Sequence, residues 1–309
     1  MTNQHGRLEF KVSEIEEKML EEVSAYLVGR IWERDKKSEA KMNIVVPAGK
    51  TADKFYEKFA EIVNELDVNL ENVHFYVGED FYPLRKDHPM SFSGSLKRNL
   101  EDKIEINPEN MHYIEERKSL EDNVEVIRRL GQEKADIFIA GLNESGTICG
   151  LRSSLQWMVR SLYMNLIDLR ETEEIAKLKE PDWFKKVHAD VSELLGPEAI
   201  KKYFPDLDLK PTHIMTYGYV PIIESKELII IASGKKKKTA MERFMLGLDE
   251  KISIGSDRIR GKGDALQSNS LSEIINYRCI PPYFVHDTNK TLFYLDSDAM
   301  PSLNGESEK

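Results

Sequence analysis

The segment from Ala135 to Leu155, ADIFIAGLNESGTICGLRSSL, decides the fold class of this chain. Its first part, Asp136 to Ala140, has the length and the apolar composition of a parallel strand that is buried on both faces. Gly141 and Gly146 then enclose a polar turn. Because ligands of open parallel sheets bind outside the carboxyl ends of the strands, we predict that the residues of this turn face a ligand.

Three other segments repeat the pattern of a buried strand followed by a loop. Ile44 to Val46 leads into PAGK and an amphipathic helix, Val73 to Val77 leads into the polar loop GEDFYPLRKDHP, and Leu228 to Ala232 leads into SGKKKKTA and a helix. Four such units predict an α/β fold, with a doubly wound, mostly parallel, Rossmann-like sheet and helices on both faces. We assign residues 1–300 to a single domain.

The rest of the chain is predicted to form helices and connections. Apolar residues three or four apart predict amphipathic helices from Val12 to Ile31 and from Leu155 to Leu169. Between Glu171 and Pro211 the chain is charged and interrupted by prolines, which predicts a helical insertion. Gly255 to Ser272 has the composition of a mobile loop, and we expect residues 301–309 to form a disordered tail.

The composition favours a protein that binds small molecules. The chain has 309 residues, of which 40% are hydrophobic and 32% are charged, and its formal net charge is -10. This acidic balance argues against nucleic acids and anionic membranes as partners. No segment has the pattern of a signal peptide or a membrane span, and Cys149 and Cys279 lack the spacing of a metal site or a disulfide framework. We expect a cytoplasmic protein without a metal or another cofactor.

The four strand ends carry motifs in a fixed order. These are Pro47, Gly49, Lys50 and Thr51; Glu79, Asp80 and Phe81, followed by His88, Pro89 and Ser91; Gly141, Asn143, Ser145, Gly146, Thr147 and Ile148; and Gly234 with Lys237. In this order they resemble the motifs of the superfamily of glucosamine-6-phosphate deaminases and 6-phosphogluconolactonases, from about Asn43 to Asp287. The chain is identified as a divergent member of this superfamily.

The resemblance implies a site for a phosphorylated sugar. The backbone N–H groups of Gly49 and Lys50 lie where a helix is predicted to begin, and such helix ends attract anions. Thr51 adds a hydroxyl group to this end of the helix. Lys237 matches a lysine of the superfamily that reaches the same phosphate.

The resemblance implies only part of the catalytic set. A carboxylate of the second motif moves a proton between C1 and C2 in the deaminases, and Glu79 or Asp80 matches it. The aspartate, histidine and glutamate that open the sugar ring are replaced by Ser145, Thr147 and Arg152. Hydroxyl groups without an activating base do not perform acid–base catalysis, whereas an arginine suits an anionic ligand. We expect the following residues to bind the ligand: Ser145, Gly146, Thr147 and Arg152.

Three functions are compatible with these residues. The first is a sugar-phosphate isomerase or deaminase that uses Glu79 or Asp80 as its base. The second is a catalytically inactive protein that senses a phosphorylated sugar and regulates other proteins. The third uses the same anion site for an acyl or nucleotide phosphate, because one fold supports many chemistries. The resemblance also implies assembly into a homo-oligomer.

Overall fold

The structure, a computed structural model, describes residues 7–36, 41–47, 49–144, 148, 164–168, 211–242 and 290–301. The strands are β1 (Arg7–Ser13), β2 (Met42–Val46), β3 (Val73–Val77), β4 (Glu79–Tyr82), β5 (Met111–His112), β6 (Ile137–Gly141), β7 (Met164–Asp168), β8 (His213–Tyr217), β9 (Glu227–Ala232) and β10 (Lys290–Asp296). The helices are α1 (Glu16–Lys36), α2 (Lys50–Glu65), α3 (Phe92–Asn99), α4 (Leu120–Glu133) and α5 (Tyr219–Ile223). Short 3-10 turns lie at Glu101–Lys103, Pro108–Asn110 and Lys235–Lys237, and residues 238–242 are helical.

Seven strands form one sheet in the order β1-β10-β9-β6-β2-β3-β5. Every neighbouring pair is parallel, which confirms the predicted α/β class. From β2 the chain moves to β3 and β5 on one side, and from β6 it moves to β9 and β10 on the other. The strand order therefore reverses between β2 and β6, and doubly wound sheets bind their ligands at such a switch point.

Aromatic side chains hold α2 against the sheet. Phe59 of α2 meets Phe75 of β3 edge-on with ring centroids 6.0 Å apart, and Phe55 stacks on Phe59. All three rings are fully buried. Since burial of one such ring contributes roughly 1.5–3 kcal/mol, this cluster fixes the position of α2 and of its N-terminus.

The prediction of a helix from Val12 was wrong at its start, because Val12 belongs to β1. This strand pairs with β10 along its whole length, and Phe10 stacks on Phe293 with centroids 5.0 Å apart. Val12 and Ile15 are 47% and 58% exposed, and α1 begins at Glu16. Val12 fits the helical spacing only by coincidence. The local sequence does not reveal β1, because the strand that pairs with it, β10, lies near the other end of the chain.

A second sheet is antiparallel and has the strand order β4-β8-β7. The segment predicted as a polar loop after β3 contains β4, in which Glu79 pairs with Thr216. The predicted helix from residue 155 to 169 is also wrong at 164–168, because β7 occupies this segment and Leu166 pairs with Met215. The backbone pairing with β8 therefore overrides the helical spacing in this segment.

Other predictions lie largely outside the described residues. These are the helical insertion from Glu171 to Pro211, the loop from Gly255 to Ser272 and the tail of residues 301–309, of which only Pro211 and Pro301 are described. Among the helices that the structure describes, none has both the length and the apolar character required to cross a membrane.

Gly78 allows the end of β3 to approach the end of β2. A Cβ atom at Gly78 would lie 2.7 Å from the carbonyl oxygen of Val46, which is closer than a real Cβ approaches a backbone atom. Only glycine lacks this atom. The close contact holds Glu79, the next residue, beside the loop that follows β2.

We predict that Gly78→Ala lowers the free energy of unfolding by about 2 kcal/mol or more, because the backbone must shift to admit the methyl group. Chemical denaturation measures this change. Gly29→Ala in α1 is the matched control, since the position that its methyl group would take is open space beyond the backbone of its own helix. Alanine favours a helix by up to about 1 kcal/mol over glycine, so the control should be neutral or stabilised. Equal stability of the two variants would contradict the close approach.

Candidate functional site

The carboxyl ends of β2, β6 and β9 lie side by side at one edge of the parallel sheet. Strand β2 pairs with β6 at Ile44 and Ile137, and β6 pairs with β9 at Gly141 and Ile231. The N–H of Leu142 donates to the carbonyl of Ile231 at 2.8 Å, which extends the contact into the turn after β6. The sheet thus brings the strand ends that precede three of the four motifs to the switch point, and Gly78 brings the fourth strand end beside them.

The N-terminus of α2 is suited to hold an anion. Gly49 has a φ of 91°, and its carbonyl accepts hydrogen bonds from the N–H groups of Ala52 and Asp53 at 2.9 and 3.2 Å. In the described chain no side chain caps this end of the helix. The hydroxyl of Tyr56 donates to the carbonyl of Pro47 and fixes the loop in front of it. First-turn N–H groups without a cap attract phosphate.

Glu79 and Asp80 are adjacent, but their environments differ. Glu79 begins β4 opposite Thr216, and its side chain is partly exposed. Asp80 is 1% exposed. Because successive side chains of a strand point to opposite faces, one carboxylate is accessible at the edge of the site and the other is enclosed.

Glu79 has the titration behaviour of an acid–base catalyst. Burial raises the pKa of Glu79 from the ordinary 4.5 to about 7, and the negative charge of Asp80 contributes in the same direction. A carboxyl group with a pKa near neutrality exchanges protons readily at physiological pH. Side chains with strongly shifted pKa values cluster at functional sites.

The Asp80 carboxylate accepts four hydrogen bonds. Its Oδ1 accepts from the N–H groups of Phe81 and Phe92 at 2.8 and 3.0 Å. Its Oδ2 accepts from the N–H of Ser93 at 2.7 Å and from the hydroxyl of Ser91 at 3.0 Å. Burial raises the pKa of Asp80, and these hydrogen bonds oppose that rise. The carboxylate therefore joins β4 to the first turn of α3.

Lys237 lies half-buried in the loop after β9. Gly234 donates its N–H to the carboxylate of Asp296 at 2.9 and 3.1 Å, and its carbonyl accepts from the N–H of Lys237 at 2.9 Å. Burial lowers the pKa of Lys237, while the charge of Glu144 opposes this effect. Lys236 forms an ion pair with Glu144 at 3.4 Å, so the loop after β9 contacts the turn after β6.

His88 shapes the loop between β4 and α3. Its Nδ1 accepts a hydrogen bond from the N–H of Met90 at 3.1 Å, and its carbonyl accepts from the N–H of Ser91 at 3.0 Å. Both bonds stay within the turn. They place Ser91 where its hydroxyl accepts from the N–H of Gly94 at 3.0 Å and caps α3.

Several residues that hold the site together were missed in the sequence. A serine directly before a helix is a capping signal, and this signal could have identified the second role of Ser91. Gly78, Ser93 and Asp296 carry no such signal, because their importance depends on contacts with segments that are distant in sequence.

Some predicted site residues are outside the described residues. These are Ser145, Gly146, Thr147 and Arg152. Lys50 is described only in its backbone. Within the part of the chain that the structure covers, no group of three or more His, Cys, Asp or Glu side chains is placed to hold a metal ion.

Comparisons with known proteins agree with this geometry. A family model described as glucosamine-6-phosphate isomerases/6-phosphogluconolactonase matches residues 14–151, which contain the loop after β2, the whole of β4 and the start of the turn after β6. Over this segment the chain is similar to that family. The match includes Glu79, Asp80 and the N-terminus of α2, so the first three of the four motifs noted in the sequence lie in the matched segment.

Individual relatives of the superfamily are distant in sequence. A glucosamine-6-phosphate deaminase from Caenorhabditis elegans is 22% identical over 236 residues, which covers 75% of this chain and 78% of the relative. The deaminase from Aliivibrio fischeri (strain MJ11) is 22% identical over 230 residues, with coverages of 72% and 75%.

Solved structures of the superfamily share the fold. A monomeric glucosamine-6-phosphate deaminase superposes with a TM-score of 0.62 at 16% identity and covers 94% of this chain and 98% of that one. A 6-phosphogluconolactonase from Thermotoga maritima gives a TM-score of 0.60 at 15% identity, with coverages of 94% and 100%. At these identities the likeness establishes the fold alone.

We predict that the Glu79→Gln variant gains stability relative to the native protein as the pH rises from 4.5 to 8, which changes the difference between their free energies of unfolding. The pKa of Glu79 is raised in the folded state, so the stabilisation linked to its protonated form is complete below its ordinary value and is lost as the pH rises through about 7. The full difference between 4.5 and about 7 corresponds to ~3 kcal/mol, and solvent access reduces it to about 1–2 kcal/mol.

Denaturant titrations of both proteins at several pH values measure this gap. Glutamine has nearly the same shape as glutamate and does not ionise, so its packing contribution cancels in the comparison. A gap that is constant from pH 4.5 to 8 would show that the Glu79 carboxyl ionises as it does in water.

Proposed function

We propose that this protein binds a phosphorylated sugar and transfers a proton on it, as an isomerase or deaminase with Glu79 as the proton-transfer carboxylate. The observation that supports this most directly is the position of Glu79, with its pKa raised to about 7, at the sheet edge that also presents the uncapped N-terminus of α2. The match to the family model and the similarity to deaminases support the choice of substrate class.

In the proposed complex the phosphate binds at the N-terminus of α2. In this proposal the N–H groups of Gly49, Lys50 and Thr51 donate to its oxygens, and the hydroxyl of Thr51 adds a donor. Lys237 supplies a positive charge from the neighbouring loop. Its half-buried position favours a bound anion, because the anion compensates the cost of keeping the ammonium group away from water.

The proposed chemistry starts from the open-chain sugar. Ionised Glu79 takes the proton from C2 while the aldehyde oxygen at C1 gains a proton from water, which forms an enediol or enolamine. Protonated Glu79 then returns the proton to C1 as the oxygen or nitrogen on C2 loses a proton to water, which gives the ketose or its imine. One group can do both because its pKa lies near the working pH. In a deaminase, water hydrolyses the imine and ammonia leaves. Ser145, Thr147 and Arg152 are proposed to bind the ligand, and the groups that open the ring are left unassigned.

Composition and similarity to the family also suggest a cellular compartment and an oligomeric state. We propose that it acts in the cytoplasm as a homo-oligomer, with the acidic composition and the superfamily as support. Since one structural relative is described as monomeric, the oligomeric state requires its own measurement by light scattering.

A turnover panel tests the proposed activity. The full chain is assayed for ammonia release from glucosamine 6-phosphate, for exchange of the C2 proton in hexose 6-phosphates and for hydrolysis of 6-phosphogluconolactone. We expect deamination or proton exchange, and we expect Glu79→Gln to lower it by about 100-fold or more while sugar-phosphate binding persists. Saturated binding without turnover on any substrate would instead identify an inactive sensor, and the absence of binding would exclude both functions.

We predict that Lys237→Gln weakens the binding of inorganic phosphate about tenfold, since one charge-assisted hydrogen bond is lost. Lys235→Gln is the matched control, because Lys235 is exposed in the same 3-10 turn. Isothermal titration calorimetry measures both affinities. Equal effects of the two substitutions would indicate a general attraction by the lysine run and would contradict a specific role for Lys237.

A further inference from the structure

The carboxylate of Asp80 has no oxygen available to a substrate. Asp80 is 1% exposed, and each of its oxygens accepts two hydrogen bonds. Three of the four donors are backbone N–H groups, which have no lone pair to accept a hydrogen bond from a protonated carboxyl. The ionised form of Asp80 is therefore the form that these partners fit.

Glu79 differs from Asp80 in each of these respects. It is partly exposed, and among the described residues none forms a hydrogen bond or an ion pair with its side chain. Its protonation is thus governed by its surroundings and by the charge of its neighbour. Two adjacent carboxyl groups with such different environments take separate roles.

We propose that Asp80 is a positioning residue for Glu79: as an ionised carboxylate it fixes β4 to the first turn of α3, and its negative charge acts on the neighbouring carboxyl group. The inference rests on the proposed function, in which Glu79 transfers the proton. It excludes the alternative in which Asp80 is the base.

The hydrogen bonds from α3 favour the ionised form of Asp80. Phe92 and Ser93 present their N–H groups at the start of α3, and helix starts favour a negative charge. The same negative charge, one residue away from Glu79, disfavours a second charge there. The ionised carboxylate of Asp80 therefore positions β4 and also raises the proton affinity of the Glu79 carboxyl group.

The experiment compares Asp80→Asn with Ser91→Ala in the full chain. Both variants lose hydrogen bonds at the start of α3, but only the first loses the charge. We measure the pH dependence of kcat on glucosamine 6-phosphate, the affinity for inorganic phosphate, and the titration of the Glu79 carboxyl by carbon-13 NMR. Glu79→Gln assigns the NMR signal.

For Asp80→Asn we expect kcat to fall about tenfold, the midpoint of the Glu79 titration to fall by about one unit, and phosphate affinity to stay within about twofold. For Ser91→Ala we expect the native midpoint. Native rate and midpoint in Asp80→Asn would overturn the inference, and so would an inactive Asp80→Asn beside an active Glu79→Gln.

The two proposals fail in different ways. If the native protein turns over no substrate, the proposed activity fails, and the midpoint of Glu79 in Asp80→Asn still decides the role of Asp80. If Asp80→Asn does not fold, an NMR titration of the native protein tests the role of Asp80 instead. We expect the Asp80 carboxyl to stay ionised while Glu79 titrates, and a proton shared between the two groups would overturn the inference.

Discussion

The hydrogen bonds to the buried carboxylate of Asp80 join β4, the strand that carries Glu79, to the first turn of α3. An isolated charge at 1% exposure would be costly, and three backbone donors with one hydroxyl compensate it. These hydrogen bonds fix the start of α3 relative to β4. Glu79 is then held at the accessible side of β4, without a described partner of its own, and its proton affinity follows from that position.

Helix α3 also connects the two halves of the candidate site. Ser91 and Ser93 hold its first turn on Asp80, and the hydroxyl of Ser95 donates to Asp53 in the first turn of α2. The end of α2 that is suited to phosphate and the strand that carries Glu79 are thus attached to one short helix. A displacement of either half would strain the other, and this linkage favours a site that is formed before the ligand binds.

The sequence predicted the four central strands because each contains a short run of mainly apolar residues, as in Ile137–Gly141. It did not predict β1 and β10, since these strands pair across the two ends of the chain and the spacing at Val12 fits a helix as well. It singled out Glu79 and Asp80 as a pair. It did not separate their roles, because the difference depends on hydrogen bonds from α3 and on the antiparallel pairing with β8.

A crystal structure with a linear hexitol 6-phosphate tests the central claim most directly, since this ligand resembles the open-chain sugar and cannot be turned over. The account predicts phosphate oxygens about 3 Å from the backbone nitrogens of residues 49–51 and from Nζ of Lys237. It also predicts that the C1–C2 end lies within about 3.5 Å of the Glu79 carboxyl, with Asp80 still bound to α3. A phosphate bound elsewhere, or a ligand in contact with Asp80 and remote from Glu79, would contradict the account.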